Sequence, residues 1–164
     1  MKILIIGSVA SGKTTLAKKL SKKLHIDYYE IDSIVHDDKN LIKRDNKEQQ
    51  KIINEINKNR NWIIEGTLRK NLTNLLTIAD KIIYLNIPYE IRNKRIKKRY
   101  LKQRLKLEKA NYKPNDEMLD KMYLWNKEFE LNKTEFEHRL TKYVNKLLIL
   151  KSDDDIDKYF KTFD

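Results

Sequence analysis

The stretch that decides the fold is GSVASGKT, residues 7–14. It satisfies the pattern G-x-x-x-x-G-K-[ST], in which a glycine-rich turn lets backbone N–H groups surround a phosphate. The apolar run before it, residues 3–6, predicts a buried strand, and the residues after it, 13–24, place leucines four apart on one helical face. The pattern requires this context of strand, loop and helix, so the sequence predicts a phosphate cradle over residues 7–14.

Each residue of the phosphate cradle has a predicted role. Gly7 and Gly12 allow the tight turn, and the positive end of the following helix favours an anion. Lys13 is predicted to reach the β- and γ-phosphates as a catalytic residue, while the Thr14 hydroxyl ligates Mg²⁺ and Thr15 contacts the α-phosphate. Two of the chain's three glycines occupy motif positions, which argues against a chance match. The complete set predicted to bind ATP is Gly7, Ser8, Ala10, Ser11, Gly12, Lys13, Thr14 and Thr15.

Short apolar runs alternate with helical patterns along the rest of the chain. The other predicted strands are residues 28–31, 62–64, 82–85 and 147–150. The predicted helices are residues 13–24, 47–58, 69–77 and a helix from Pro88 past Leu107, and a later stripe of Met118, Met122, Trp125 and Phe129 is assigned to the core. Continuous apolar runs suit a parallel sheet covered on both faces, and strands separated by helices predict right-handed crossovers. The predicted fold class is therefore α/β.

The composition excludes several classes of protein. A chain of 164 residues is the size of one domain, and it has no cysteine, which excludes a disulfide scaffold and a cysteine-based metal site. The apolar run at residues 3–6 is far too short for a signal peptide or a membrane span. We therefore expect a soluble cytoplasmic protein without a membrane partner, as a monomer or a homodimer.

The positive charge of the chain is concentrated in one segment. The net charge is +12, and residues 92–113 hold eleven Lys or Arg residues and one acidic residue, which gives that segment +10. A basic cluster attracts polyanions. The partner is therefore either a nucleoside triphosphate or nucleic acid, and the aromatic residues needed for a base-stacking platform are few in this segment.

Two acidic residues follow predicted strands and are candidates for the chemistry. Glu65 ends the run at residues 62–64 and could organise Mg²⁺, with Gly66 giving room beside the phosphates; the alternative is a plain strand-end acid. Asp32 follows the run at residues 28–31, where the carboxyl ends of parallel strands line a ligand crevice. It could accept a proton from an attacking hydroxyl or orient Mg²⁺ through water, and the alternative is that it only caps a helix or lies in a turn.

Three arginines are candidates for binding anionic groups. Arg69 follows Gly66 closely and could hold an acidic substrate through two parallel hydrogen bonds from its guanidinium group. Arg95 and Arg99 lie one helical turn apart, and arginines of a lid would neutralise charge on a phosphoryl group in transfer. The alternative for these two is a solvated basic face. The predicted acceptor-binding set is Asp32, Glu65, Gly66 and Arg69, and the predicted catalytic set is Lys13, Asp32, Arg95 and Arg99.

These motifs together resemble the adenylate kinase-related P-loop kinases over nearly the whole chain. The resemblance rests on residues 7–15, on the run IIEGTLR at residues 63–69, and on the run DKIIYLNIP at residues 80–88, which the arginines follow. Within this group the sequence is most similar to the topology modulation, or FlaR-type, proteins. Those proteins share an element like IDSI at residues 31–34 and one like WIIEG at residues 62–66.

The resemblance implies a three-layer α/β/α P-loop NTPase fold with a five-stranded parallel sheet. It also implies a helical lid at about residues 99–141, inserted into a core of residues 1–98 and 142–164. The family's lid arginines correspond to Arg95 and Arg99, and adenine would lie near Arg95 and Ser152. The Phe-Pro of the adenylate kinase run Gly-Phe-Pro-Arg is replaced by Thr67-Leu68, a departure that argues against AMP as the acceptor.

Three functions follow as hypotheses. The first is a kinase that uses Mg·ATP to transfer the γ-phosphoryl group to a small-molecule or nucleotide acceptor. The second is a nucleic-acid-associated ATPase or regulator of DNA topology, whose binding would weaken steeply with salt. The third is a nucleotide-binding protein that has lost catalysis, because Glu65 stands where aspartate is usual.

Overall fold

Five parallel strands form the central sheet of the computed structural model, which describes residues 1–37, 42–108 and 114–163. The strands are β1 (Lys2–Gly7), β2 (Tyr28–Glu30), β3 (Trp62–Gly66), β4 (Lys81–Leu85) and β5 (Leu147–Leu150). They lie in the order β2-β3-β1-β4-β5, and each neighbouring pair is parallel. The predicted strands are confirmed, except that β2 ends at Glu30 because Ile31 begins a helix.

Helices connect the strands and cover the sheet. They are α1 (Lys13–Leu24), α2 (Ile31–Val35), α3 (Asn46–Lys58), α4 (Asn74–Ile78), α5 (Tyr89–Arg104), α6 (Asp116–Leu131), α7 (Lys133–Leu140) and α8 (Asp153–Lys161). Side chains satisfy the free N–H groups where several of them begin: Asp45 caps α3, Asn115 caps α6, and Ser152 caps α8.

Each face of the sheet has its own hydrophobic core, because alternate residues of a strand point to opposite sides. On one face, Leu4 and Ile6 of β1 lie in a cluster with residues of α2, α3, α4 and α7. On the other face, Ile3 and Ile5 lie with residues of α1 and α8. Helices therefore cover both faces, and the predicted α/β fold with a five-stranded parallel sheet in three layers is confirmed.

Two predicted helices differ from the observed ones. The helix predicted at residues 69–77 is divided into a 3₁₀ turn at Lys70–Leu72 and the short helix α4. The helix predicted to run past Leu107 ends at Arg104, because Lys106 adopts a left-handed backbone conformation with a φ of 58°.

The observed apolar stripe of α6 differs from the predicted one at one position. Met122 is buried, but Trp125 is 48% exposed, and the side chain that points inward is that of the next residue, Asn126. Helix α7 is firmly attached to the core, since Phe136 packs edge-on against Tyr84 of β4 at 5.3 Å between ring centroids. The C-terminal half of the insertion between β4 and β5 is thus anchored on the sheet.

Some predicted regions lie outside the described residues. Residues 109–113 belong to the predicted basic segment and lid, and residue 164 belongs to the predicted core. Within residues 1–37, 42–108 and 114–163, no helix is both long enough and apolar enough to cross a bilayer.

Candidate active site

The strand order brings the two motifs that the sequence singled out to the same edge of the sheet. Strand β1 lies between β3 and β4, and Ile6 pairs with Gly66 while Gly7 pairs with Leu85. The phosphate cradle therefore emerges beside Glu65 and Gly66. The carboxyl ends of parallel strands are where ligands bind in open α/β sheets.

The backbone of the phosphate cradle turns sharply into α1. Gly12 precedes the helix with a φ of 99°, a conformation that a residue with a Cβ atom rarely adopts. Ala10 also has a positive φ, of 59°. Ser8 and Ser11 are buried, and Thr15 is exposed in the first turn of α1. This local geometry ends one strand and starts one helix within five residues.

Lys13 lies at the centre of the phosphate cradle. Its Nζ donates to the carbonyl oxygen of Ser8 at 2.7 Å, and the Ser11 hydroxyl donates to the same oxygen at 2.9 Å. Burial lowers the pKa of Lys13 below its usual value, while the charge of Glu65 opposes this shift. Lys13 is therefore a buried cation next to the loop that would receive a phosphate.

Glu65 and Thr14 meet next to Lys13. The Thr14 hydroxyl donates to Oε1 of Glu65 at 2.5 Å, and Glu65 is only 3% exposed. Burial raises the pKa of Glu65, and the Lys13 charge and the Thr14 hydrogen bond act against that rise. A hydroxyl and a carboxylate in contact fit Mg²⁺, which prefers oxygen ligands and takes few of them from the protein in phosphate sites.

The raised pKa of Glu65 predicts a pH-dependent stability. Above pH 4.5 the unfolded chain ionises Glu65 more readily than the folded chain does, so the stability contributed by the neutral carboxyl is lost as pH rises. We expect Glu65→Gln to raise the Tm at pH 7 to 8 and to match the wild type below about pH 4.5. Thermal melts across pH 4 to 8 measure this, with the exposed Glu128→Gln as the control. A Glu65→Gln variant that is less stable at neutral pH would contradict it.

Gly66 allows β3 and α2 to approach each other closely. A Cβ atom at position 66 would lie 2.6 Å from the Cβ of Ile31, and the φ of Gly66 is 153°. The next residue, Thr67, donates its hydroxyl to the carbonyl oxygen of Gly7 at 3.1 Å. The end of β3 is thereby tied to the start of the phosphate cradle.

Asp32 and Arg69 form a pair just beyond the carboxyl ends of β2 and β3. Asp32 lies in the first turn of α2, and its Oδ1 accepts a hydrogen bond from Arg69 at 2.8 Å. The Asp32 side chain is largely exposed and that of Arg69 is partly buried, and Nε of Arg69 is buried without a hydrogen-bond partner among the described residues. The Asp32 charge is close enough to contribute to the pKa values of Lys13 and Glu65. Two of the four residues predicted to bind the acceptor, Asp32 and Arg69, thus lie in contact with each other near the phosphate cradle.

The two arginines of α5 are placed differently. Arg95 donates to the carbonyl oxygens of Ala10 and Ser11 at 3.4 and 3.2 Å, and its other terminal nitrogen donates to the carboxylate of Asp153 at 2.7 and 2.8 Å. Arg99 is 45% exposed and lies 3.6 Å from Glu108. Its charge still contributes to the lowered pKa of Lys13. Arg95 contacts the phosphate cradle directly, whereas Arg99 acts on Lys13 of the cradle only through its charge among the described contacts.

Sequence reasoning missed two buried polar residues behind the phosphate cradle. Arg92 belongs to the basic segment at residues 92–113, yet it is only 1% exposed and donates to the Ile87 carbonyl, Asn126 and Glu130. Asn126 is fully buried and accepts a hydrogen bond from Ser8 at 3.2 Å. One signal was available: Asn126 follows Met122 by four residues and precedes Phe129 by three, so it lies on the apolar stripe.

A comparison with protein families assigns most of the chain to one family. Residues 3–120, which are more than half of the chain, match the family described as AAA domain. The chain belongs to this family. AAA-domain proteins of this kind are P-loop NTPases, and the phosphate cradle is the loop that gives the P-loop its name.

This AAA-domain protein has a similar sequence among curated proteins. The uncharacterized protein YqaC of Bacillus subtilis (strain 168) is 32% identical over 96 residues, which are 58% of this chain and 54% of that protein. The chain thus spans about half the length of YqaC.

Two solved kinases have a similar fold. A deoxyadenosine kinase from M. mycoides with bound dATP matches with a TM-score of 0.56 and 17% identity, over 99% of this chain and 96% of that one. A shikimate kinase from Bacteroides thetaiotaomicron matches with a TM-score of 0.55 and 16% identity, over 98% of this chain and 94% of that one. At these identities the similarity shows a P-loop kinase-like fold.

Proposed function

We propose that this protein is an Mg·ATP-dependent phosphotransferase that moves the γ-phosphoryl group to a small-molecule or nucleotide acceptor. The observation that carries the proposal is the contact of Thr14 with Glu65 at 2.5 Å, beside the buried ammonium of Lys13. A hydroxyl, a carboxylate and a shielded cation at one loop are the groups that phosphoryl transfer requires.

The residues of the phosphate cradle divide the work of binding the triphosphate. Backbone N–H groups and Lys13 would hold the phosphates, and Thr14 with Glu65 would hold Mg²⁺. When bound, Mg²⁺ neutralises charge on the phosphate oxygens. Arg95 is already in contact with the loop, and the charge of Arg99 already acts on Lys13, so both would add positive charge as the transfer proceeds.

The pair of Asp32 and Arg69 supplies the acceptor side. Arg69 would hold an anionic group of the acceptor, because a guanidinium binds carboxylate or phosphate with two parallel hydrogen bonds. The carboxylate of Asp32 would then be free to orient the attacking hydroxyl and to accept its proton. The two similar folds belong to proteins named as kinases of a nucleoside and of shikimate, which supports an acceptor of small size.

The domain organisation and the subfamily belong to the same proposal. We place the protein with the adenylate kinase-related kinases of the topology modulation type, with a core of residues 1–98 and 142–164 and a helical lid at about residues 99–141. The anchoring of α7 on Tyr84 suggests that movement is concentrated in the N-terminal part of that insertion. Adenine would lie near Arg95 and Ser152, where Arg95 now pairs with Asp153.

A ligand screen by thermal shift tests the proposed function. Ligands that bind only the folded state raise the Tm. At a ligand concentration one hundred times Kd, the free energy of unfolding rises by about 2.7 kcal/mol. We expect a non-hydrolysable ATP analogue with Mg²⁺ to raise the Tm, and a true acceptor to raise it further. Nucleosides, nucleoside monophosphates and hydroxy acids are the compounds to test, with Arg69→Met as the variant that should lose the second rise only. The absence of any shift with the analogue and Mg²⁺ would reject the proposal.

A second candidate function, a nucleic-acid-associated ATPase, is favoured by one surface. Lys94, Lys97, Lys98 and Lys102 form a lysine face on the outside of α5, around a shallow groove of about 400 Å³. None of the four has an ion-pair partner within the described parts of the chain. Unpaired lysines on one helix face fit a phosphate backbone.

A gel-shift titration decides on this second candidate. Binding through the lysine face should fall steeply between about 50 and 200 mM salt, and changing the four lysines to glutamine should remove it. The matched control changes four exposed lysines elsewhere, Lys18, Lys22, Lys47 and Lys51, to glutamine. Equal binding by the two quadruple variants, or no binding near physiological salt, would exclude the lysine face as a nucleic-acid site.

A further inference from the structure

Asn126 lies in α6, yet its side chain reaches the start of the phosphate cradle. The Ser8 hydroxyl donates to Oδ1 of Asn126 at 3.2 Å across a separation of 118 residues in the chain. Asn126 is fully buried, and Ser8 is 2% exposed. A polar contact in such a position is sheltered from water, so its loss cannot be compensated by solvent.

The chemistry of its neighbours fixes the orientation of the Asn126 amide. Arg92 donates to the same Oδ1 atom, and a guanidinium has no acceptor, so the oxygen must face Arg92 and Ser8. The Nδ2 group points the other way and donates to Oδ1 of Asn93 at 2.8 Å and to the carbonyl of Tyr89 at 3.5 Å. All hydrogen-bonding positions of the amide are used by protein groups on α5 and the phosphate cradle.

Ser8 transmits this contact to the residue that would bind the triphosphate. Its carbonyl oxygen accepts hydrogen bonds from Lys13 at 2.7 Å and from the Ser11 hydroxyl at 2.9 Å. A displacement of Ser8 would therefore displace the groups that define the shape of the loop. Asn126 touches none of the phosphate-binding atoms itself and acts through Ser8.

We propose that Asn126 is a positioning residue for the phosphate cradle, which holds Ser8, and through it Lys13, in the geometry that binds a triphosphate. The nucleotide affinity then depends on a helix of the insertion between β4 and β5, although that helix contributes no phosphate ligand. This inference rests on the proposed function, since it assigns Asn126 a role in the same nucleotide site.

Three substitutions separate positioning from packing. Asn126→Leu keeps the volume and removes all the hydrogen bonds. Asn126→Asp keeps an acceptor toward Ser8 and places its charge against Arg92. Asn93→Ala cuts only the bond on the Nδ2 side and leaves the link to Ser8 intact. We expect Mg·ATP affinity to fall about tenfold in Asn126→Leu, to recover to within about threefold in Asn126→Asp, and to stay unchanged in Asn93→Ala.

Calorimetric titration with Mg·ATP measures the affinities, and a double-mutant cycle tests the route. If Asn126 acts through Ser8, the double variant Ser8→Ala/Asn126→Leu should bind no more weakly than Asn126→Leu alone. Additive losses would show that Asn126 affects the site by another path and would overturn the proposal. Equal affinities of Asn126→Leu and Asn93→Ala would overturn it as well.

Amide hydrogen exchange without nucleotide gives a readout that is independent of the proposed function. We expect faster exchange at residues 8–13 in Asn126→Leu and wild-type exchange there in Asn93→Ala, with the strands of both variants equally protected. If the wild type fails to bind Mg·ATP, the proposed function is wrong. Hydrogen exchange at the phosphate cradle then still shows whether Asn126 holds the cradle in place. Should Asn126→Leu fold poorly, Ser8→Ala and Asn126→Asp carry the same comparison, with unchanged exchange at residues 8–13 in Ser8→Ala as the contrary result.

Discussion

Lys13→Ala is expected to lower kcat for ATP turnover by at least about 10²- to 10³-fold, the loss seen when one donor to a developing charge is removed. The effect is large because Lys13 is shielded from water and faces the loop that would receive the phosphates. The free energy of unfolding should remain unchanged or rise slightly, since burial lowers the pKa of Lys13 and its charged form is held at some cost.

Steady-state kinetics and a urea titration measure the two quantities in the same preparation. Lys18→Ala is the matched control, because Lys18 lies on the exposed side of the same helix α1. Turnover near the wild-type level in Lys13→Ala would exclude the proposed phosphotransferase site. A large loss of stability would show that Lys13 is needed for folding and not for binding alone.

Arg92→Leu is expected to destabilise the protein by about 3 kcal/mol. The Arg92 guanidinium is buried and donates to Ile87, Asn126 and Glu130, and removing one partner of a buried ion pair costs about 3 to 5 kcal/mol. The lower end applies because the Glu130 side chain is 37% exposed and stays partly hydrated. For a domain of this length the Tm should fall by about 6 to 12 °C.

Urea unfolding followed by circular dichroism measures the loss at Arg92. Arg92→Lys should recover only part of it, because one ammonium group cannot reach three acceptors in the geometry of a guanidinium. Lys94→Ala, on the exposed side of the same helix, should change the stability by less than about 0.5 kcal/mol. A change at Arg92→Leu as small as that of Lys94→Ala would mean that the buried network does not stabilise the fold.

The strands and the phosphate cradle could be predicted because their signals are local. The run at residues 3–6 and the glycine spacing of residues 7–14 depend on neighbours in the chain, and the predicted helix at residues 13–24 has the observed bounds. The location of Glu65 could also be predicted, since an acidic residue directly after an apolar run that forms a buried parallel strand lies at the carboxyl edge of the sheet.

The role of Arg92 could not be predicted, because its partners come from elsewhere in the chain. In the sequence Arg92 is one of the many cations of the basic segment at residues 92–113, whereas in the structure Glu130 and Asn126 of α6 accept its hydrogen bonds inside the protein. Nothing near Arg92 in the sequence indicates these partners. A buried cation is determined by tertiary packing, and the period of the helix alone does not reveal it.

The prediction of one continuous helix at residues 69–77 was wrong for a similar reason. Leu72 and Leu75 have helical spacing, but both are drawn into the core from different segments, the 3₁₀ turn and α4. The packing of apolar side chains against β1 outweighed the local preference for one continuous helix.

The outer strands of the sheet have a consequence for self-association. The strand β2 has three residues and β5 has four, and among the residues that the structure describes each pairs with a neighbour on one side only. An unpaired edge so short offers another chain few backbone donors and acceptors, which makes strand addition and amyloid-like stacking unfavourable. The sheet is therefore a poor surface for joining two copies of this protein edge to edge.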